Sequence, residues 1–161
     1  MRTIRMALGM ALLALPAVPA AAQSPSVAVL PFQSGGAFAR GGADTRAMER
    51  ELATSLTREL GGLARAVSGA DLDRALAGVS LGTEGRMDAG SAARVGAALG
   101  ATHVVAGTFM DHFGKIRLDA RVIDVKTGRA VKTVSVGPGD RSDVPAMVSR
   151  LAEQVRAAVG A

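Results

Sequence analysis

Residues 99–136 read LGATHVVAGTFMDHFGKIRLDARVIDVKTGRAVKTVSV, and this stretch decides the fold. Three apolar runs lie in it, separated by two short polar connections. The first, 102–110, has an uncharged interior, which is the pattern of a strand buried on both faces. The second, 115–125, alternates. Ile116, Leu118, Ala120 and Val122 fall on one side, and Lys115, Arg117, Asp119 and Arg121 on the other. The third, 129–136, is shorter. The connections 111–114 and 126–129 each carry a glycine where a tight hairpin needs positive φ. Together they predict a β-meander with one core face and one charged face.

Working backwards, residues 88–99 form an alanine-rich segment with Ala92, Val95 and Leu99 on one stripe. Gly90, Ser91 and Gly96 would let such a helix approach a sheet closely, and Gly100 ends it. Ser68-x-x-Asp71 has the form of a helix-opening box, with Asp in place of Glu, ahead of Leu72 and Leu76. Residues 63–67 are expected as a short strand. The clearest helix is 44–60, with Met48, Leu52, Leu56 and Leu60 spaced by four, Asp44 as its N-cap, and a glycine pair after it. Arg46, Arg50 and Arg58 lie on its other side, as a solvated face. Residues 26–32 (SVAVLPF) read as a central strand ending at a proline.

Between them, 33–43 holds Gly35, Gly36, Gly41 and Gly42 in a loop whose spacing fits neither common phosphate-binding pattern. After the meander, Gly137-Pro138-Gly139 is read as a turn. Residues 142–159 form a second long amphipathic helix on Val144, Met147, Leu151, Val155 and Val159. The predicted class is α/β, a mixed sheet in the order β-α-β-α-α-β-β-β-α, with the C-terminal antiparallel meander packed by helices.

Residues 1–22 have the form of a secretory signal peptide. Arg2 and Arg5 precede an apolar run too short to span a bilayer, and small residues stand before Gln23. The expectation is therefore an exported periplasmic chain, with 23–161 as one domain. Peripheral association with the outer membrane is left open, and the chain contains no cysteine. That absence excludes disulfides, thiolate metal sites and acylation of a cysteine. The formal charge of +5 drops by two without Arg2 and Arg5, and aromatics are only 2% with no Trp or Tyr. A nucleic-acid surface lacks both its charge and its stacking platforms.

Chemistry-bearing residues are sparse. His103 lies inside an apolar run and reads as a core histidine. Asp111-His112 reads as hairpin chemistry, and Asp119 and Asp124 occupy opposite faces of one strand. No catalytic, metal or cofactor-binding residue is assigned. The candidate interaction surface is Gly35, Gly36, Arg40 and Gly41 in the loop, with Lys115, Arg117, Asp119 and Arg121 on the charged face. Any exposed sheet edge is a further candidate.

The succession VAVLPF at 27–32, E-L-x-x-x-L-x-x-E-L at 51–60, ALGATHVVAGTF at 98–109 and IRLDARVIDVKTG at 116–128 resembles a bacterial envelope superfamily. That superfamily contains the curli component CsgG, the flagellar FlgO proteins and the TolB N-terminal domain, with LpoB as a reduced form. The resemblance implies a non-enzymatic scaffold or assembly module that binds envelope proteins, with self-assembly left open. The chain lacks the lipid-accepting cysteine, and no pair of alternating segments is left over for transmembrane hairpins. The alternative is a small-ligand or nucleotide-binding periplasmic module using the loop 33–43 against the following helix, where Asp44 would repel a phosphate.

Overall fold

The computed structural model describes residues 24–35, 43–65, 67–79 and 87–160. The strands are β1 (Val27–Val29), β2 (Gln33–Ser34), β3 (His103–His112), β4 (Lys115–Asp124) and β5 (Arg129–Asp140). The helices are α1 (Ala43–Leu60), α2 (Gly69–Leu76), α3 (Ala89–Ala98) and α4 (Val144–Val159), with 3₁₀ turns at Gly61–Leu63 and Arg141–Asp143. They build a mixed five-stranded sheet in the order β1-β3-β4-β5, and β2 pairs with β3 beyond β1. β1 and β2 run parallel to β3, and the two hairpins β3–β4 and β4–β5 are antiparallel.

Each face of the sheet is covered by a different helix layer, because the alternation along each strand supplies two apolar sets. On the inner face Phe32, Val105, Phe109, Ile116, Leu118, Ala120, Val122, Val134 and Val136 meet Leu52, Leu56 and Leu60 of α1 and Met147, Leu151 and Val155 of α4. On the outer face Ala28, Leu30, Val104 and Ile123 meet Ala92 and Val95 of α3. The expected close approach of α3 is made at Gly96, where a Cβ would stand 2.6 Å from Val125 Cγ2. Its N-cap is Asp88, which accepts from the Ser91 N–H at 2.9 Å. Ser68 caps α2 in the expected way, accepting from the Asp71 N–H at 3.1 Å.

Four expectations are corrected. The run 26–32 is not a central strand. β1 lies at the margin of the sheet, with only a single-residue bridge, Val27 to Ala64, on its far side. Its apolar residues are buried because helices cover both faces, not because strands flank it on both sides. The expected strand 63–67 is that one bridge, preceded by the 3₁₀ turn. Asp44 stands inside the first turn of α1 rather than at its cap. Gly137-Pro138-Gly139 is not a turn after the meander. It lies within β5, where Gly137 and Pro138 together stand opposite Arg117 between the pairs Leu118–Val136 and Ile116–Gly139, a bulge of one extra residue.

The turn from β4 to β5 is tied by Asp124, which accepts from the Thr127 N–H at 2.6 Å. The Thr127 hydroxyl and N–H, with weaker help from His103 and Lys126, outweigh burial and hold the Asp124 carboxyl below the usual carboxylate range. A depressed folded pKa contributes stability above the unfolded carboxylate pKa, and that stability is lost as pH falls through the folded value. The thermal midpoint is therefore expected to fall on acidification below the ordinary carboxylate range, and Asp124→Ala to flatten part of that fall. A midpoint series against pH for both chains checks it; parallel curves would remove Asp124 from the account.

Candidate interaction surface

α3 covers only the end of the outer face that carries Val104 and Ile123. The other half of that face bears the charged residues of β4. Lys115 and Arg117 are exposed there, and Asp119 and Arg121 are half-buried. Their charges are largely spent on one another. Arg117 donates from Nε and Nη2 to Asp119 Oδ1 at 3.1 and 3.0 Å, and Ser135 on β5 donates its hydroxyl to the same oxygen. Lys115 meets Asp140 at 2.8 Å, and that hydrogen bond raises the ammonium pKa above its ordinary value. Arg121 donates to the carbonyl of Met87. Beside the patch, Arg141 pairs with Asp111 at 3.4 Å. The four β4 residues thus do come together on one face, Lys115 and Arg117 in surface ion pairs with Asp140 and Asp119, and Arg121 on a carbonyl. Such pairs contribute little stability and leave little net field for a charged partner. Sequence reasoning missed Ser135, Asp140 and Arg141, which reach the patch through the β5 ladder and the turn after it.

Of the glycine loop, Gly36, Arg40 and Gly41 lie outside the described residues. Gly35 gives its N–H to the Phe109 carbonyl at 2.8 Å, so that donor serves the sheet.

The histidines sit in different settings. His103 Nδ1 is 3.0 Å from Thr102 Oγ1, and Nε2 is 3.9 Å from Asp124 Oδ2. Thr102 Oγ1 in turn donates to the Ser26 carbonyl and accepts the Ser26 N–H at 2.8 Å, which pins the entry of β1 against β3. This chain of contacts holds two strands in register. His112 closes a hairpin and stacks edge-on against Phe113 at 5.5 Å, while Asp111 accepts from the Gly114 N–H at 2.8 Å. Asp111 therefore does the turn chemistry expected of it. Among the described residues no group of His, Cys, Asp or Glu side chains could hold a metal ion, and no helix is long and apolar enough to cross a membrane.

The two flanks of the sheet differ. On the β1–β2 flank, α1 closes over the chain. The Phe32 N–H donates to the Glu49 carbonyl, the Ser34 N–H to Glu49 Oε1, and the Arg65 N–H to the Val27 carbonyl at 2.7 Å. On the other flank β5 pairs with β4 alone among the described residues. The molecule is thus a mixed α/β sheet with helices on both faces and one long strand at its margin.

No protein-family model matches the chain, and no curated protein does. Solved structures do. Escherichia coli LpoB is 16% identical over 68% of this chain and 54% of its own, with a TM-score of 0.50. TolB from Acinetobacter baumannii is 14% identical over 84% of this chain and 28% of its own, at 0.53. Lipoprotein GNA1162 from Neisseria meningitidis is 14% identical over 82% of this chain and 96% of its own, at 0.50. At these identities the likeness is one of fold. The chain spans about half the length of LpoB and a smaller part of TolB.

Proposed function

We propose that this chain is an exported, non-enzymatic module that works in the bacterial cell envelope by binding other proteins, of the CsgG/FlgO type and in a reduced form without lipid-accepting cysteine or transmembrane hairpins. The observation that carries the reading is the uneven treatment of the two sheet flanks. One is closed by α1, while among the described residues a 12-residue strand pairs on one side only at the other, and such an edge is one means by which a sheet protein binds another polypeptide. The fold shared with LpoB, TolB and a neisserial lipoprotein supports it, as does the signal-peptide form of residues 1–22. The charged network of Lys115, Arg117, Asp119 and Arg121 belongs to this reading as a neighbouring solvated surface.

Crosslinking of the protein in its own cell envelope, followed by mass spectrometry, tests it. A defined envelope protein, or a ring of copies, held reproducibly is the expected result. A monomer in the cytoplasm, or an exported monomer that crosslinks to nothing, would overturn it.

A further inference from the structure

The free flank has a specific chemistry. The connection Phe113–Gly114, with φ of 53° and 83°, closes on the pair His112–Lys115, and the closing pair of such a two-residue hairpin is hydrogen-bonded. Counting by twos turns the main chain of Arg117, Asp119 and Arg121 toward β3 and that of Leu118, Ala120 and Val122 toward β5. Across the next ladder Val122, Ala120 and Leu118 stand opposite Lys132, Val134 and Val136. The N–H and C=O groups of Thr133 and Ser135 therefore point away from the sheet. They lie in a regular stretch, 132–136, bounded by one bulge at Val131, the extra residue between the pairs Val122–Lys132 and Ile123–Ala130, and by the second bulge at Gly137-Pro138.

Two side-chain features accompany this short template. Val131 is 50% exposed, one of two large apolar residues so placed among the described residues. Residues 125–139 carry Lys126, Arg129 and Lys132 and no acid, and all three cations are exposed. Unlike Lys115 and Arg117, none of these three has a carboxylate within ion-pair distance among the described residues.

A second copy of this chain would suit the edge poorly. Antiparallel pairing of β5 with itself about Val134 would set Lys132 opposite Val136 and Arg129 opposite Gly139, so a second copy would offer these cations no acid, and parallel pairing in register would set them against an identical, repelling set. The bulges and the lysine are also the devices by which edges resist self-association. The same charge becomes attractive to a strand carrying the opposite sign.

Resting on the reading above as a protein-binding module, we propose that the β5 edge takes a short extended segment of an envelope partner rich in Asp and Glu. Its main chain would pair with Thr133 and Ser135, its carboxylates would meet Lys126, Arg129 and Lys132, and an apolar side chain would cover Val131.

The test places a photo-reactive residue at Val131 or Thr133 of the full chain, and at the exposed Arg74 and Arg150 as controls, in the native envelope. The expected result is that both edge probes crosslink to one contiguous partner segment in which acids outnumber bases. The yield should fall about tenfold when Lys126→Glu, Arg129→Glu and Lys132→Glu are combined. Thr133→Pro should give a similar loss, since proline there removes only an outward-facing N–H. The charge reversal changes exposed side chains, of which Lys126 also helps hold the Asp124 carboxylate, so the thermal midpoint is measured beside the yield, and a loss of yield with the protein still folded at the assay temperature separates lost binding from lost folding. Adducts to β5 of a second copy, adducts only to lipid, or a partner held equally by the charge-reversed chain would each overturn the proposal. A partner caught only at Arg74 or Arg150 overturns the edge while leaving the proposed function standing. Adducts at no probe overturn both.

Discussion

Replacing Gly107 by alanine is expected to destabilise the protein by about 3 kcal/mol, the upper end of what one added methyl costs in a filled core. A Cβ at this position would stand 2.3 Å from Phe32 Cε1 and 2.6 Å from both Cδ1 and Cζ. Phe32 is fully buried, and its ring occupies the space above Gly107 on the inner face of the sheet, among the residues that α1 covers. The ring has little freedom to yield. The Phe32 N–H is bonded to the Glu49 carbonyl and the Gly35 N–H to the Phe109 carbonyl, which fix the chain on either side of it. Moving the ring means moving α1. Phe32→Ala alone should cost about 3–5 kcal/mol through the cavity it leaves. In that background the added methyl has space, so Gly107→Ala should turn neutral or stabilising. Denaturant unfolding of the four chains closes the cycle. Additive losses would mean that the ring and the glycine do not share one volume.

This contact explains why part of the fold is legible in the sequence and part is not. The pattern of 115–125 specifies β4 completely, because half-burial imposes a period of two that no other element mimics. The three amphipathic helices that feed the inner and outer layers are legible for the same reason. β1 was assignable as a strand but not to its place. VAVLPF records burial on both faces, and α1 with α3 supplies that burial as well as flanking strands would. β2 leaves no trace in composition. Gln33 and Ser34 are half-buried polar residues that become a strand only because Thr108 and Phe109 offer a ladder beside them. Gly137-Pro138-Gly139 has the local chemistry of a turn, yet β4 continues opposite it and the ladder absorbs it as a bulge. For the interaction surface, the charge of β4 was visible, but its cancellation was not. The partners Ser135 and Asp140 meet Arg117 and Lys115 through register, which spacing along one strand does not reveal; only Asp119, two residues from Arg117 on β4, is within reach of that spacing.

Consecutive residues of β4 should differ several-fold in what they contribute. Leu118→Ala is expected to cost about 2–5 kcal/mol, the range for deleting a large aliphatic side chain from a core that relaxes only in part. Leu118 is wholly buried, stands opposite Val136 on one side and Phe109 on the other, and lies beneath the helix layer of α1 and α4. For a domain whose whole margin is on the order of 5–15 kcal/mol, that loss should be plain in any unfolding curve. Arg117→Ala should change stability by only about 0.5 kcal/mol in either direction, although it breaks contacts with both Asp119 and Ser135. The guanidinium is half exposed, and water replaces its partners at little cost. The comparison bears on more than two side chains. A slip of one residue would exchange every side chain of β4 between the faces. It would bring Arg117 into the core, and with β5 held in its pairing to β4 it would also turn the main chain of Thr133 and Ser135 inward, leaving the partner strand nothing to pair with. Denaturation midpoints of the two variants measured together therefore test the register on which the outward-facing edge depends. A large loss at Leu118 with almost none at Arg117 fixes it, and comparable losses at both would take away the geometric basis for strand addition at β5.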